Sequence, residues 1–117
     1  MSAAYETFRD LHRGIFVMPN PWDATSTLLL AREGFAALAP TSAGLAFGLG
    51  LPDGAAALDR GLSIKQAAMI ARLSGLSVNG DLEDGLGPTP EDCVTTVQAS
   101  IAAGLAGLAI EDMTADP

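Results

Sequence analysis

Short, wholly apolar runs alternate along this chain with longer stretches in which apolar residues recur every three or four positions. Residues 15–18 (Ile-Phe-Val-Met) are closed by Pro19-Asn20-Pro21, and a run of that length with prolines behind it predicts a strand buried on both faces, as in a parallel sheet. Residues 35–39 (Phe-Ala-Ala-Leu-Ala), 76–79 (Leu-Ser-Val-Asn) and 105–110 (Leu-Ala-Gly-Leu-Ala-Ile) predict three more. Helical patterns surround them. Residues 5–12 form a short leading helix with Phe8 and Leu11 on one side. Asp23 is placed to cap a helix through Glu33, with Ala24, Leu28 and Ala31 in register and Gly34 as its stop. After a long Gly-rich loop at 40–61, Ser63-Ile64-Lys65-Gln66 matches a capping box, and Ile64, Ala67, Ala68 and Ala71 carry that helix to Gly75. Thr89 and Pro90 open a last helix with Val94, Val97 and Ile101 on one face, and Gly104 ends it.

The recurring unit is therefore strand then helix, and polar groups follow each strand: Asp23; then Thr41, Ser42 and Asp53; then Asp81 and Glu83; then Glu111. In right-handed parallel β/α units the loops leaving the strands open on one common face. The expected fold class is α/β, preceded by a short N-terminal helix: four parallel units make the first half of a (β/α)8 TIM barrel, with a small open doubly wound sheet as the alternative. Residues 1–117 form one partial barrel domain of about four units, since a whole barrel needs roughly 200 residues or more.

Composition narrows the partners. Fourteen acidic residues against six basic ones give a net charge of −8, so no basic stripe is available to release counterions from a phosphate backbone, and no nucleic-acid partner is expected. Apolar runs are interrupted well before the ~20 residues of a membrane span, and the first ten residues are charged where a signal peptide would be apolar. The expectation is a cytoplasmic protein with no membrane partner. One cysteine, Cys93, forms no internal disulfide and no zinc-type spacing is present. Cys93 and Trp22 are read as packing residues, His12 as a partner of its helix C-terminus, and Lys65, in a helix's first turn, as no Schiff-base lysine.

Chemistry concentrates in Asp81-Leu82-Glu83-Asp84-Gly85-Leu86-Gly87, where three carboxylates fall within four residues directly behind a strand. Carboxylates so placed repel one another unless a proton or cation compensates them, and an all-oxygen set suits a hard divalent ion such as Mg²⁺. An acidic solvated turn is the alternative reading of this loop on its own.

Five segments in order, 18–24 (Met-Pro-Asn-Pro-Trp-Asp-Ala), 41–44 (Thr-Ser-Ala-Gly), 51–54 (Leu-Pro-Asp-Gly), 81–87 and 103–112, resemble the isocitrate lyase/phosphoenolpyruvate mutase superfamily. That resemblance implies a barrel enzyme, often oligomeric, that makes or breaks a C–C or P–C bond beside a 2-oxo or 2-hydroxy carboxylate through an enolate. Carried over by motif, Asp81 is the main metal-side carboxylate, and Asp53, Glu83 and Glu111 hold Mg²⁺ (or Mn²⁺), largely through its waters. Asp53, Asp81 and Glu83 are the catalytic candidates. Thr41, Ser42, Ala43 and Gly44 would hold the carboxylate of a small 2-oxo acid, 2-hydroxy acid or phosphonate substrate. The chain departs from the family at Leu86, where an aromatic is common, and at Asp84, where a small residue is frequent; it lacks the family's Cys-containing mobile loop and later-strand arginines. Methylisocitrate lyase-like, oxaloacetate hydrolase-like and mutase-like activities stay open, as does a catalytically incompetent half barrel.

Overall fold

The computed structural model describes residues 2–54 and 57–112. Its elements run α1 (Ala3–Leu11), α2 (Ala24–Arg32), β1 (Ala37–Leu38), α3 (Ser42–Gly48), α4 (Arg60–Ser74), β2 (Ser77–Asp81), α5 (Pro90–Ala102) and β3 (Gly107–Ala109). The strands form a parallel sheet in the order β1-β2-β3, with Ala37 opposite Ser77, Asn79 opposite Gly107 and Asp81 opposite Ala109. Parallel neighbours require a crossover, supplied by α3 and α4 between β1 and β2 and by α5 between β2 and β3.

Side chains alternate across a strand, and the two faces of this sheet carry different cores. On one face Leu38 and Val78 join Ala67 and Ile70 of α4, together with Leu105. On the other, Ala37 and Ala106 pack with Phe8 of α1. Residue 107 has to be glycine for the second core to close. A Cβ there would come within 2.7 Å of both Phe8 and the Asn79 side chain. Ser77 ties the same face to α1 by donating to the Ala4 carbonyl (2.9 Å).

Four sequence expectations need correction. Residues 15–18 make no ladder: Ile15 and Val17 are exposed (104% and 65%), whereas Phe16 and Met18 pack on the Phe8 core. This segment alternates outward and inward instead of being buried on both faces. Among the described residues, its one backbone bond to the sheet edge follows it, from Ala39 N–H to the Pro19 carbonyl (3.1 Å). The loop expected at 40–61 contains α3 and the first residues of α4. Asp59, not Ser63, caps α4 by accepting from Leu62 N–H (2.9 Å), so Ser63 lies buried inside the helix.

The fourth correction concerns the apolar stripes. Leu28 of α2 and Val94 and Ile101 of α5 are exposed, while the buried residues of those helices are Ser26 and Thr27, then Thr96 and Ser100. Their hydroxyls are satisfied close by, which is what lets small polar residues be buried. Thr27 donates to the Asp23 carbonyl (2.6 Å) and Ser100 to the Thr96 carbonyl (2.8 Å). Small side chains with their polar atoms already paired let the helices approach closely. Among the described residues, no helix is long and apolar enough to cross a membrane.

Candidate active site

The carboxylates gather at the C-terminal ends of β2 and β3. Asp81 is the last residue of β2, on the same face as Ser77 and Asn79. Past Asp81 the two strands stay connected: Leu82 N–H donates to the Ala109 carbonyl (3.2 Å) and Glu111 N–H to the Glu83 carbonyl (2.7 Å). That second bond sets Glu111 beside Glu83. Asp53 joins from the loop after α3; its charge, with those of Asp81, Asp84 and Glu111, acts on Glu83. Asp53, Asp81 and Glu111 thus lie near enough to Glu83 at this end of the sheet for their charges to act on it.

Asp81 also reaches the loop after β1. Its Oδ2 accepts from Ser42 N–H (2.8 Å) at the start of α3, while Oδ1 accepts from Glu83 N–H (3.4 Å). Thr41 caps α3 through its side chain, which accepts from Gly44 N–H (3.1 Å). Thr41, Ser42, Ala43 and Gly44 therefore sit half-buried directly against Asp81, with the Ser42 and Gly44 N–H groups engaged by Asp81 and Thr41. Residue 44 is glycine for a steric reason. A Cβ would meet Thr41 Cγ2 at 2.7 Å and Trp22 Cβ at 2.9 Å. Trp22 is exposed (47%), short of the burial a packing role implied, though the base of its side chain lies against this turn; its carbonyl accepts from Gln66.

Glu83 carries a raised proton affinity. Burial, then the charges of Asp81, Asp84, Asp53 and Glu111, push its carboxyl above the usual range. Its Oε1 is buried with no hydrogen-bond partner among the described residues. An unpaired buried carboxylate oxygen costs free energy, so the loop carries an uncompensated demand for positive charge or a proton. The backbone is unusual as well. Glu83 (φ 47°) and Leu86 (φ 59°) both occupy the left-handed region, which costs a non-glycine residue about 1–2 kcal/mol.

Sequence reasoning missed the residues that hold this loop down. Arg60 Nε donates to Thr96 Oγ1 (2.7 Å), and its Nη2 reaches the Leu86 carbonyl (3.2 Å) and Asp92 Oδ1 (2.9 Å). Thr96 in turn donates to the Gly85 carbonyl (2.7 Å). Thr89 and Arg60 together hold the Asp92 carboxyl below the usual carboxylate range. Arg60 was hidden inside the stretch read as loop; the one signal for it was Asp59 three residues ahead of Leu62. Cys93 is half-buried, its Sγ 3.6 Å from the Asp84 carbonyl, a packing position as expected. His12 Nδ1 lies 2.8 Å from the Phe8 carbonyl at the end of α1, as its sequence position implied; Lys65 is exposed on α4 but lies past the first turn, because the helix begins at Arg60.

An oxygen-only donor set with an orphaned carboxylate atom fits a hard divalent cation. Among the described residues no three Asp, Glu, His or Cys side chains converge as a group able to hold a metal ion. That spread is compatible with an ion that keeps several of its own waters, as Mg²⁺ does. A separate groove of about 450 Å³ lies elsewhere, between α1, α5 and the start of β3, lined by Tyr5, Ile101 and Leu105 among others.

The fold recurs in known proteins. A family profile described as phosphoenolpyruvate phosphomutase matches residues 8–117. The chain belongs to that family. An uncharacterised Mycobacterium tuberculosis protein is 41% identical over 112 residues, spanning 94% of this chain and 42% of the relative. A Burkholderia cenocepacia protein assigned as a lyase or mutase superposes with a TM-score of 0.90 at 44% identity, over 97% of this chain and 41% of that one. A 2,3-dimethylmalate lyase of the PEP mutase/isocitrate lyase superfamily gives 0.86 at 26% identity, over 97% and 41%. Oxaloacetate acetylhydrolase bound to oxalate gives 0.87 at 30% identity, over 96% and 40%. The chain thus spans about two fifths of the relatives it matches, and its parallel sheet and helices correspond to the first half of their TIM-barrel-type fold.

Proposed function

We propose that this chain provides the cation-binding side of a lyase or phosphonomutase-like active site for a small 2-oxo or 2-hydroxy carboxylate or phosphonate. The observation that carries the reading is the unpartnered, buried Glu83 carboxylate oxygen amid Asp53, Asp81, Asp84 and Glu111, beside the Thr41–Ser42–Ala43–Gly44 turn. Oxalate, oxaloacetate and dimethylmalate, which belong to the relatives' chemistry, each place a carboxylate next to an oxygen-bearing carbon, and that pair can chelate one ion. Asp53, Asp81, Glu83 and Glu111 would hold Mg²⁺, with Mn²⁺ as a substitute. When bound, the ion supplies Lewis-acid stabilisation of negative charge developing on the substrate's 2-oxygen.

The chain's own residues do the rest. Asp81 bridges the two loops, so the acidic set and the Thr41–Gly44 turn are fixed relative to each other. Glu83, with its raised proton affinity, is the candidate for taking or giving a proton. With the Ser42 and Gly44 N–H groups engaged by Asp81 and Thr41, the half-buried turn has the Ser42 hydroxyl and the Ala43 N–H left to offer a substrate carboxylate.

Titration of Mn²⁺ into the protein and its Asp81→Ala variant, followed by calorimetry, tests the reading. Saturable binding by the wild type that is lost in the variant is the expected result, and equal binding by both would sink it. A second reading, that the 117-residue chain by itself is a non-catalytic half barrel, is supported by its coverage of about two fifths of its relatives. Turnover of oxaloacetate or phosphonopyruvate by the purified chain would refute that.

A further inference from the structure

The acidic loop is pinned from behind by residues outside the acidic set. Three successive loop carbonyls each meet a side chain from the helix side: Asp84 O meets Cys93 Sγ, Gly85 O accepts from Thr96 Oγ1, and Leu86 O accepts from Arg60 Nη2. Thr96 is fully buried, and its one hydroxyl proton goes to Gly85 while its oxygen accepts from Arg60 Nε. The loop lies so close to α5 that a Cβ on Gly85 would come within 2.3 Å of Cys93 Sγ, and one on Gly87 within 2.3 Å of the Asp92 side chain. Between these anchors, Glu83 and Leu86 hold left-handed backbone, a conformation that persists only where its surroundings over-determine it.

From this geometry we infer that Arg60, acting through Thr96, is a positioning residue that holds the 82–88 loop so that Glu83 stays aimed into the acidic cluster. The inference rests on the cation-binding reading for its consequence, though not for the loop geometry itself. A planar guanidinium donates along two directions at once, here to Thr96 and to Leu86. A lysine ammonium at the same place is a single point charge without that fork. Outer-shell groups that orient metal ligands typically account for about 10- to 100-fold in metal affinity.

The experiment compares wild type, Arg60→Met, Arg60→Lys, Thr96→Val and Thr96→Ser by Mn²⁺ titration and by hydrogen exchange of the metal-free protein. Arg60→Met and Thr96→Val are expected to weaken Mn²⁺ binding about 10- to 100-fold and to speed exchange across residues 83–88, while β2 and α4 keep their protection. Thr96→Ser, which retains the hydroxyl, is expected to behave as wild type, and Arg60→Lys is not expected to rescue. A purely structural arginine would lower protection throughout the chain, and its loss would not be mirrored by the Thr96→Val and Thr96→Ser pair. Wild-type affinity and loop protection in folded Arg60→Met would overturn the inference. If that variant does not fold, equal behaviour of Thr96→Val and Thr96→Ser would do so. Absence of Mn²⁺ binding by the wild type would remove the cation reading, and loop exchange would then decide the positioning role alone.

Discussion

Replacing Glu83 by glutamine should stabilise the metal-free protein at neutral pH, which is the reverse of the usual outcome at a half-buried position. The side chain keeps its shape but loses a charge that burial and four neighbouring carboxylates oppose. Its Oε1 is buried without a donor. An unsatisfied buried acceptor costs roughly 1–3 kcal/mol, and more when it is charged. A neutral amide oxygen in the same place still lacks a donor, so the gain is the difference between the charged and neutral penalties, about 1 kcal/mol. For a chain of this size that corresponds to roughly 4 °C in Tm. The pH dependence has a definite sign. The folded-state value of Glu83 is raised, so the folded chain binds this proton more tightly than the unfolded chain. Stability from this group is therefore fully present below the ordinary glutamate value and is lost as pH rises through the raised one. The Gln variant should match wild type in acid and exceed it at neutral pH. Saturating Mn²⁺ should reverse the order, because an ion bound only to the folded state stabilises the protein that binds it better. Thermal melts of both proteins between pH 3.5 and 7.5, with and without Mn²⁺, make the measurement. A Gln variant less stable than wild type at pH 7 without metal, or two parallel pH profiles, would refute the argument that Glu83 is an uncompensated charge.

Two further outcomes check the frame around the site. Ile70→Ala empties the centre of the α4–sheet core, where the side chain is fully buried beside Leu38 and Val78; chemical denaturation should show a loss of about 2–5 kcal/mol, and a loss below 1 kcal/mol would mean the packing there is misjudged. Gly44→Ala forces a methyl against Thr41 Cγ2 and Trp22 Cβ, a cost of about 1–3 kcal/mol. Trp22 fluorescence should shift in that variant, and an unchanged spectrum at unchanged stability would count against the close approach.

How far the site was legible from sequence depends on the range of the interactions involved. Asp81, Glu83 and Glu111 come just after apolar runs, so their places near strand ends come from local pattern; β3 lies within the run that predicted it, while β2 starts inside its run and extends two residues past it to Asp81. The caps at Asp23 and Thr89 are equally local: each accepts from a backbone N–H three residues on. Gly75, left-handed at φ 68°, ends α4 where the pattern placed its stop. By contrast, the faces of α2 and α5 went wrong because hydrophobicity was taken to decide burial. There the decisive property was smallness with the hydroxyl already paired, at Ser26, Thr27, Thr96 and Ser100.

By itself, then, the sequence determined which residues carry charge behind which strand, where α2 and α5 begin and where α1, α2, α4 and α5 stop, and that the strands are parallel units of one α/β layer. Only the tertiary structure decided that Ile15 and Val17 face outward without a ladder, that Ser42 N–H is spent on Asp81, 39 residues away, and that Arg60 reaches across to Leu86 and Thr96. Those contacts join segments with no periodic relation to one another, so nothing in the spacing of residues encodes them. They exist because the packed sheet brings separate loops together at the C-terminal ends of its strands, where Asp81 and Glu83 lie.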